Sequence, residues 1–230
     1  MNTLHHFTRN ALLGVFAAFS AASANGAVST PLNIEFSGGV APASAATPWV
    51  NGTFANEVGG TVLFSLEALH LTNPEKMTGF YFNFNDALNV QNLSFQLVSS
   101  GAFALPTIDR SRDAYKADGD GKYDIRLNFA TAGNASQTFG QGDTLVYRLS
   151  YTSAINASQF GYLSLPAGGH GPFYAAAHIQ DTPGGQSGWI AATEFMPVPE
   201  ASPLLAGGSL LTLVVAGVVS RGRRRLSVPN

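Results

Sequence analysis

The chain has 230 residues, 45% hydrophobic and 11% aromatic, enough for one core-forming domain plus targeting segments. Only 11% are charged, against roughly 25% in an average soluble protein, while Gly (25), Pro (12) and Phe (16) are frequent, a mix that suits short strands joined by turns. Cysteine is absent, which excludes disulfides, a thiol nucleophile and a thiolate metal site.

The formal net charge of −2 hides an asymmetry. Five of the 12 basic residues are Arg9, Arg221, Arg223, Arg224 and Arg225, so residues 25–200 keep seven bases against all 14 acids, a net of about −7. An acidic body argues against nucleic-acid binding. It is compatible with cations, neutral sugars or plain solubility.

The N-terminus has the pattern of a signal peptide. His5, His6 and Arg9 make a weakly basic start, and Ala11 to Phe19 is an apolar run too short to span a bilayer. Ala22-Ser23-Ala24 supplies the small residues that signal peptidase requires. The expected segment is 1–24, with cleavage after Ala24 as first choice and after Ala27 as second. The alternative is a buried N-terminal helix.

Residues 28–197 show no long helical periodicity. They carry short alternating runs of the kind half-buried strands require. Val62, Phe64, Leu66 and Ala68 form one such row; Leu93, Phe95 and Leu97 another; Tyr123, Ile125, Leu127 and Phe129 a third; Leu145, Tyr147, Leu149 and Tyr151 a fourth. Further strands are expected at 32–36, 80–84, 160–165, 174–180 and 189–195. Gly38-Gly39, Gly59-Gly60, Asn73-Pro74, Gly119-Asp120-Gly121, Gly168-Gly169 and Pro183-Gly184-Gly185 punctuate them. About nine strands predict an all-β fold, an antiparallel β-sandwich of jelly-roll type.

Three features of this body carry chemistry. Asp118, Asp120 and Asp124 fall in a Gly-rich stretch that offers carboxylates on bendable backbone, as Ca²⁺ requires. The stretch is not an EF-hand, since Lys122 and Phe129 stand where ligands belong. A polar hairpin turn is the favoured alternative, because Asp-Gly is a turn dipeptide. Residues 109–126 also hold five charges of each sign, which can pair with one another.

The second feature is His170 in a Gly-rich loop and His178 on a strand. No zinc-ligand spacing accompanies them and no Gly-x-Ser-x-Gly elbow is present, so structural roles are expected. The third is a set of aromatics, Trp49, Trp189, Tyr162, Phe173 and Tyr174, which form either a sugar-stacking platform or part of the core.

The C-terminus combines three parts. Val198-Pro199-Glu200-Ala201 comes first, then Pro203 to Ser220 without a charge, then Arg221-Gly222-Arg223-Arg224-Arg225. Eighteen uncharged residues fall within the ~17–25 of a membrane helix. The positive-inside rule keeps the arginines cytoplasmic and the body outside. An ordinary single-pass anchor would explain the helix and arginines but not Pro-Glu.

Together these parts resemble the PEP-CTERM sorting signal, with Val198, Pro199 and Glu200 matching the recognition element and Ala201 standing where the family usually has Pro. The resemblance covers roughly the last 30 residues, spanning 198–225. It implies a partner exosortase that removes the tail during surface delivery, transient anchoring in the inner membrane, and a Gram-negative host with an exopolysaccharide system. The stretch from His170 to Ile190 is also similar to the end of the sandwich domain in other PEP-CTERM proteins, which implies a fold and no activity.

The expected protein is therefore exported, non-enzymatic and associated with exopolysaccharide or biofilm matrix, with no cofactor unless Ca²⁺ is bound. Its partners are signal peptidase, an exosortase and extracellular polysaccharide. A carbohydrate-binding sandwich module is the second expectation. A secreted hydrolase is the third, and it would need two of Glu35, Glu57, Glu67, Glu75 and Glu194 to meet in a cleft.

Overall fold

A computed structural model describes residues 26–199 apart from 119, 120 and 135. The expected signal segment 1–24 and the tail from Glu200 onward lie outside the described residues. Among the described residues no helix is long and apolar enough to cross a membrane.

In chain order the strands are β1 (Ala27–Leu32), β2 (Ile34–Ser37), β3 (Val50–Glu57), β4 (Thr61–Glu67), β5 (Lys76–Phe82), β6 (Ser94–Ser100) and β7 (Thr107–Ala117). There follow β8 (Gly121–Asn128), β9 (Phe139–Gly140), β10 (Thr144–Ser150), β11 (Leu165–Pro166), β12 (Ala175–Thr182), β13 (Gln186–Ala192) and β14 (Met196–Pro197). They form two antiparallel sheets. The first has the order β14-β1-β3-β4-β10-β6. The second has the order β11-β8-β5-β12-β13-β2, with β7 beside β8 and β9 beside β5.

The alternation in the sequence decides which side chains face inward. Val62, Phe64 and Leu66 of β4, and Leu145, Tyr147 and Leu149 of β10, are buried while their neighbours are partly exposed. Across the gap stand Met77, Phe80 and Phe82 of β5, Ile125 and Leu127 of β8, and Ala175, Ala177 and Ile179 of β12, all in the same core. The sheets meet through phenylalanine. The Phe54 ring lies between Phe64 at 4.8 Å and Phe160 at 4.6 Å, and Phe82 touches Phe54, Phe64 and Phe160. Phe103, Phe129 and Phe139 form a second aromatic group in this core.

The sequence expectation lacks the long strands β3 and β7, most of β1 and the two-residue β9 and β14, and it misplaces one element. β3 and β7 are unforeseen, β3 because its inward row is Val50, Gly52, Phe54. Gly52 is required by close approach: a Cβ there would stand 2.7 Å from Thr30 Oγ1 and 3.2 Å from the Phe80 ring. β7 is charged and mostly exposed or half-buried, so it lacks an apolar row.

The expected strand at 160–165 is instead a 3-10 turn, Ala157–Phe160, followed by irregular chain. Asn156 caps it by accepting from Ser158 N–H, and the Gln159 side chain reaches back to Asn156 N–H. That turn drives Phe160 into the core.

Replacing Phe64 by Ala removes a fully buried ring in contact with three others. The expected loss is about 3–5 kcal/mol of unfolding free energy, read by urea denaturation.

Candidate functional site

The outer face of the second sheet is apolar as well. Along β5, β12 and β13 the sequences Phe80-Tyr81-Phe82, Ala175-Ala176-Ala177 and Ile190-Ala191-Ala192 leave no polar side on which water could be met. Tyr81, Ala176 and Ala191 point away from the main core and join Phe36, Ala117, Tyr123 and Phe173 in a second cluster, with Ile34, Tyr115 and Trp189 packed at its margin.

The cover is the β7–β8 hairpin. β8 pairs with β5 only over Ile125–Asn128. Toward the tip β8 pairs with β11 at Gly121 and Lys122, and in the turn the Asp118 carboxylate accepts from Ser37 Oγ of β2, at the far edge of the same sheet. Tyr123 is thereby fully buried.

What stays open is the margin of this cluster. Trp189 is half-buried, its ring 4.7 Å from His178, 5.5 Å from Tyr81 and 6.4 Å from Phe36. On the other side Arg126 lies 5.0 Å over the half-buried Tyr115 ring and pairs with Asp109 at 2.7 Å. Asn128 also donates to Asp109 Oδ2, at 2.8 Å. The Arg126 hydrogen bond holds the Asp109 carboxyl below its usual range, and the Asp109 bond in turn raises Arg126. Burial pushes the Tyr81 hydroxyl up, while Arg126 opposes that shift. Half-exposed rings beside a fixed charge pair give stacking surfaces next to directional polar groups.

Both histidines converge on this cluster. His178 Nδ1 sits 2.7 Å from Thr78 Oγ1, and the exposed His170 ring lies 6.1 Å from Phe36. Burial pushes His178 below its ordinary value of 6.5, with the Asp118 charge opposing. Thr78 is itself buried, so its hydroxyl positions the imidazole.

The sequence-expected aromatics divide. Trp189 and Phe173 meet through Phe36, 4.9 Å from Phe173. Trp49 belongs to the main core, its indole N–H donating to Ser44 O at 2.8 Å. Tyr174 stacks on Phe195 at 5.7 Å, and Tyr162 is half-buried, its carbonyl accepting from Asn83. Tyr81, Tyr115, Tyr123, Arg126 and Phe36 were missed. The signal for them was available: strands apolar on both faces imply a second covered layer.

Of the three expected calcium ligands, Asp120 lies outside the described residues. Asp118 occupies the hairpin turn and faces Ser37. Asp124 is buried, its Oδ1 accepting from Asp113 N–H at 2.8 Å and its Oδ2 from Phe84 N–H at 3.1 Å. Burial raises the Asp124 carboxyl, opposed by those two amides. Each Asp124 oxygen is thus already engaged by one backbone amide. Among the described residues no three of His, Cys, Asp and Glu gather as a metal group.

Three of the five glutamates have separate partners. Glu57 pairs with Arg148, Glu75 caps Ala43 and Thr72, and Glu35 accepts from Gly39. Val198 and Pro199, the first residues of the expected sorting element, follow β14, and Val198 N–H donates to Ala27 O at 2.9 Å. Glu200, Arg221, Arg223, Arg224 and Arg225 lie outside the described residues.

No family model matches this sequence, and neither a curated protein nor a solved structure matches it.

His178 gives a pH test. Its folded value is depressed, so it contributes stability above 6.5 that is lost as pH falls through the folded value. Unfolding free energy should decline on acidification below 6.5, and His178→Gln should flatten that part of the profile. An unchanged profile in the variant would refute the assignment.

Proposed function

We propose that this chain is an exported cell-surface protein of a Gram-negative bacterium, sorted by an exosortase-type system, whose jelly-roll-like sandwich is a non-enzymatic module held in exopolysaccharide or biofilm matrix. The observation that carries the sorting half is the ordered tail: Val198-Pro199-Glu200, the uncharged run Pro203 to Ser220, then the arginines. The fold supports its use. β14 pairs with β1, so the points where the leader and the tail join the domain lie side by side. Signal peptidase cutting after Ala24 leaves β1 whole. In this reading the exosortase removes the tail after transient anchoring in the inner membrane.

The half concerning matrix binding is carried by the open margin of the outer face. Polysaccharide chains present apolar sugar faces and hydroxyl rims, and Trp189 and Tyr115 offer rings beside Arg126, Asp109 and Asn128. This carbohydrate-binding reading uses no bound Ca²⁺. Calcium at Asp118, Asp120 and Asp124 remains a separate proposal, tested by whether millimolar Ca²⁺ raises the melting temperature.

The sorting half is tested by the intact mass of the protein recovered from the surface of its native host. The expected mass lacks residues 1–24 and the tail beyond the Pro199 region. A mass retaining the arginine cluster refutes it.

The binding half is tested by sedimentation with the host's own exopolysaccharide. Trp189→Ala and Tyr115→Ala should each weaken binding about tenfold, a loss of about 1.4 kcal/mol. Equal retention of both variants and the parent protein refutes it.

A further inference from the structure

One end of the sandwich is hollow. Where β5 begins and β12 ends, a cavity of about 460 Å³ opens between the 73–76 turn, residues 133–134 and 138–143, and Asp181, lined by Asn73, Lys76, Asn134, Gln141 and Asp143 among others. A second hollow of about 270 Å³ continues from it, sharing Asn73, Glu75 and Asp181 and reaching Thr182 and Gly184. Volumes of ~300–1,000 Å³ are usual for small-ligand sites.

One observation bears on how the cavity is built, the placing of Asp181. It is the extra residue of a β-bulge between Gln180 and Thr182, and its backbone has φ of 58°, in the left-handed region that a non-glycine residue rarely adopts. The bulge sets its side chain at the junction of the two hollows, where it ion-pairs with Lys76.

The lining selects the chemistry. A cation is disfavoured because the carboxylates are engaged: Glu75 accepts from Ala43 and Thr72, Asp143 from Gly140, and Asp181 from Lys76. An anion is disfavoured because, among the described residues, Lys76 is the one base lining the larger cavity, against three acids. What remains is a mixture of carboxamides, carboxylates, an ammonium and a threonine hydroxyl. Such groups donate and accept in close pairs, as vicinal hydroxyls require.

We propose that this cleft binds one neutral sugar residue at the end of a polysaccharide chain. For the class of ligand the proposal rests on the carbohydrate-binding reading above; for its place it rests on the cavity alone. The two surfaces share strand β12. Gln180, beside Asp181, pairs in register with Lys76, and His178, two residues earlier, touches Trp189. A chain lying past Trp189 would end in the cleft.

The test is calorimetric titration of the full chain with glucose, galactose and mannose, each alone. At least one should bind with millimolar affinity. Gln141→Ala, on an exposed loop, and Asp181→Asn should each weaken that sugar about tenfold, whereas Trp189→Ala should leave it unchanged. If Asp181→Asn does not fold, Asn73→Ala takes its place. The proposal is overturned if none of the three sugars binds, if binding survives the cleft variants, or if Trp189→Ala abolishes it. Failure of the outer-face reading has a different signature: polysaccharide binding indifferent to Trp189 while the cleft variants still lose the monosaccharide.

Discussion

The stack of Phe54 between Phe64 and Phe160, with Phe82 reaching all three, is the contact on which the remaining architecture rests. The chain has no cysteine, so cohesion must come from burial. A phenylalanine ring removes a large apolar area from water with only two rotatable bonds to immobilise. The rings also come from both sheets and from the 3-10 turn between β10 and β11, so packing them fixes the sheets relative to one another. Everything described on the outer face and at the open end depends on that registration.

Buried carboxylates do the complementary work on the backbone. Irregular segments that turn between two sheets carry amides with no strand to receive them. Glu75 accepts from Ala43 and Thr72, and Asp124 from Asp113 and Phe84, so each carboxylate joins segments far apart in sequence. The arrangement has a cost. Burial raises Asp124 above its ordinary 3.8, so its charged form is disfavoured in the fold, and the stability tied to this group is present below that value and lost as pH rises through the folded one. The residue is retained because an apolar side chain there would leave two amides without acceptors. The outer cluster follows from this: Asp124 holds the point at which β7 bulges and the hairpin tip turns over the sheet.

The all-β character was readable because alternation survives wherever one face is buried, as in β4, β8 and β10. It failed where shape replaces hydrophobicity. β3 needs Gly52 on its inward face, which erases the apolar row, and β7 is charged because it lies at the sheet edge. The switch from β1 to β2 at Asn33 was also hidden, since an unbroken run from Leu32 to Phe36 looks like one strand. Of the site, Trp189 and Phe173 could be named as aromatics, but not their meeting through Phe36. That depends on a hairpin curling over a sheet. The end cleft was beyond reach altogether, because three segments separated by up to about a hundred residues supply its walls.

The pairing of β14 with β1 bears on how such a chain could be processed at both ends. Ala27 opens β1, stands opposite Ala55 of β3, and accepts the Val198 N–H. A cut after Ala24 spares all of these contacts, whereas a cut after Ala27 removes that acceptor and the first rung of the β1–β3 ladder. On the proposed reading, only the earlier cut would keep the whole β1–β3 ladder. At the other end, Pro197 pairs with Val28 and Pro199 follows one residue after Val198. Proline has no N–H to continue a ladder, so pairing stops where the Pro-Glu element starts. The sheet edge thus holds the chain through Val198, so on the proposed reading a tail cut beyond Pro199 would leave the β1–β14 pairing whole.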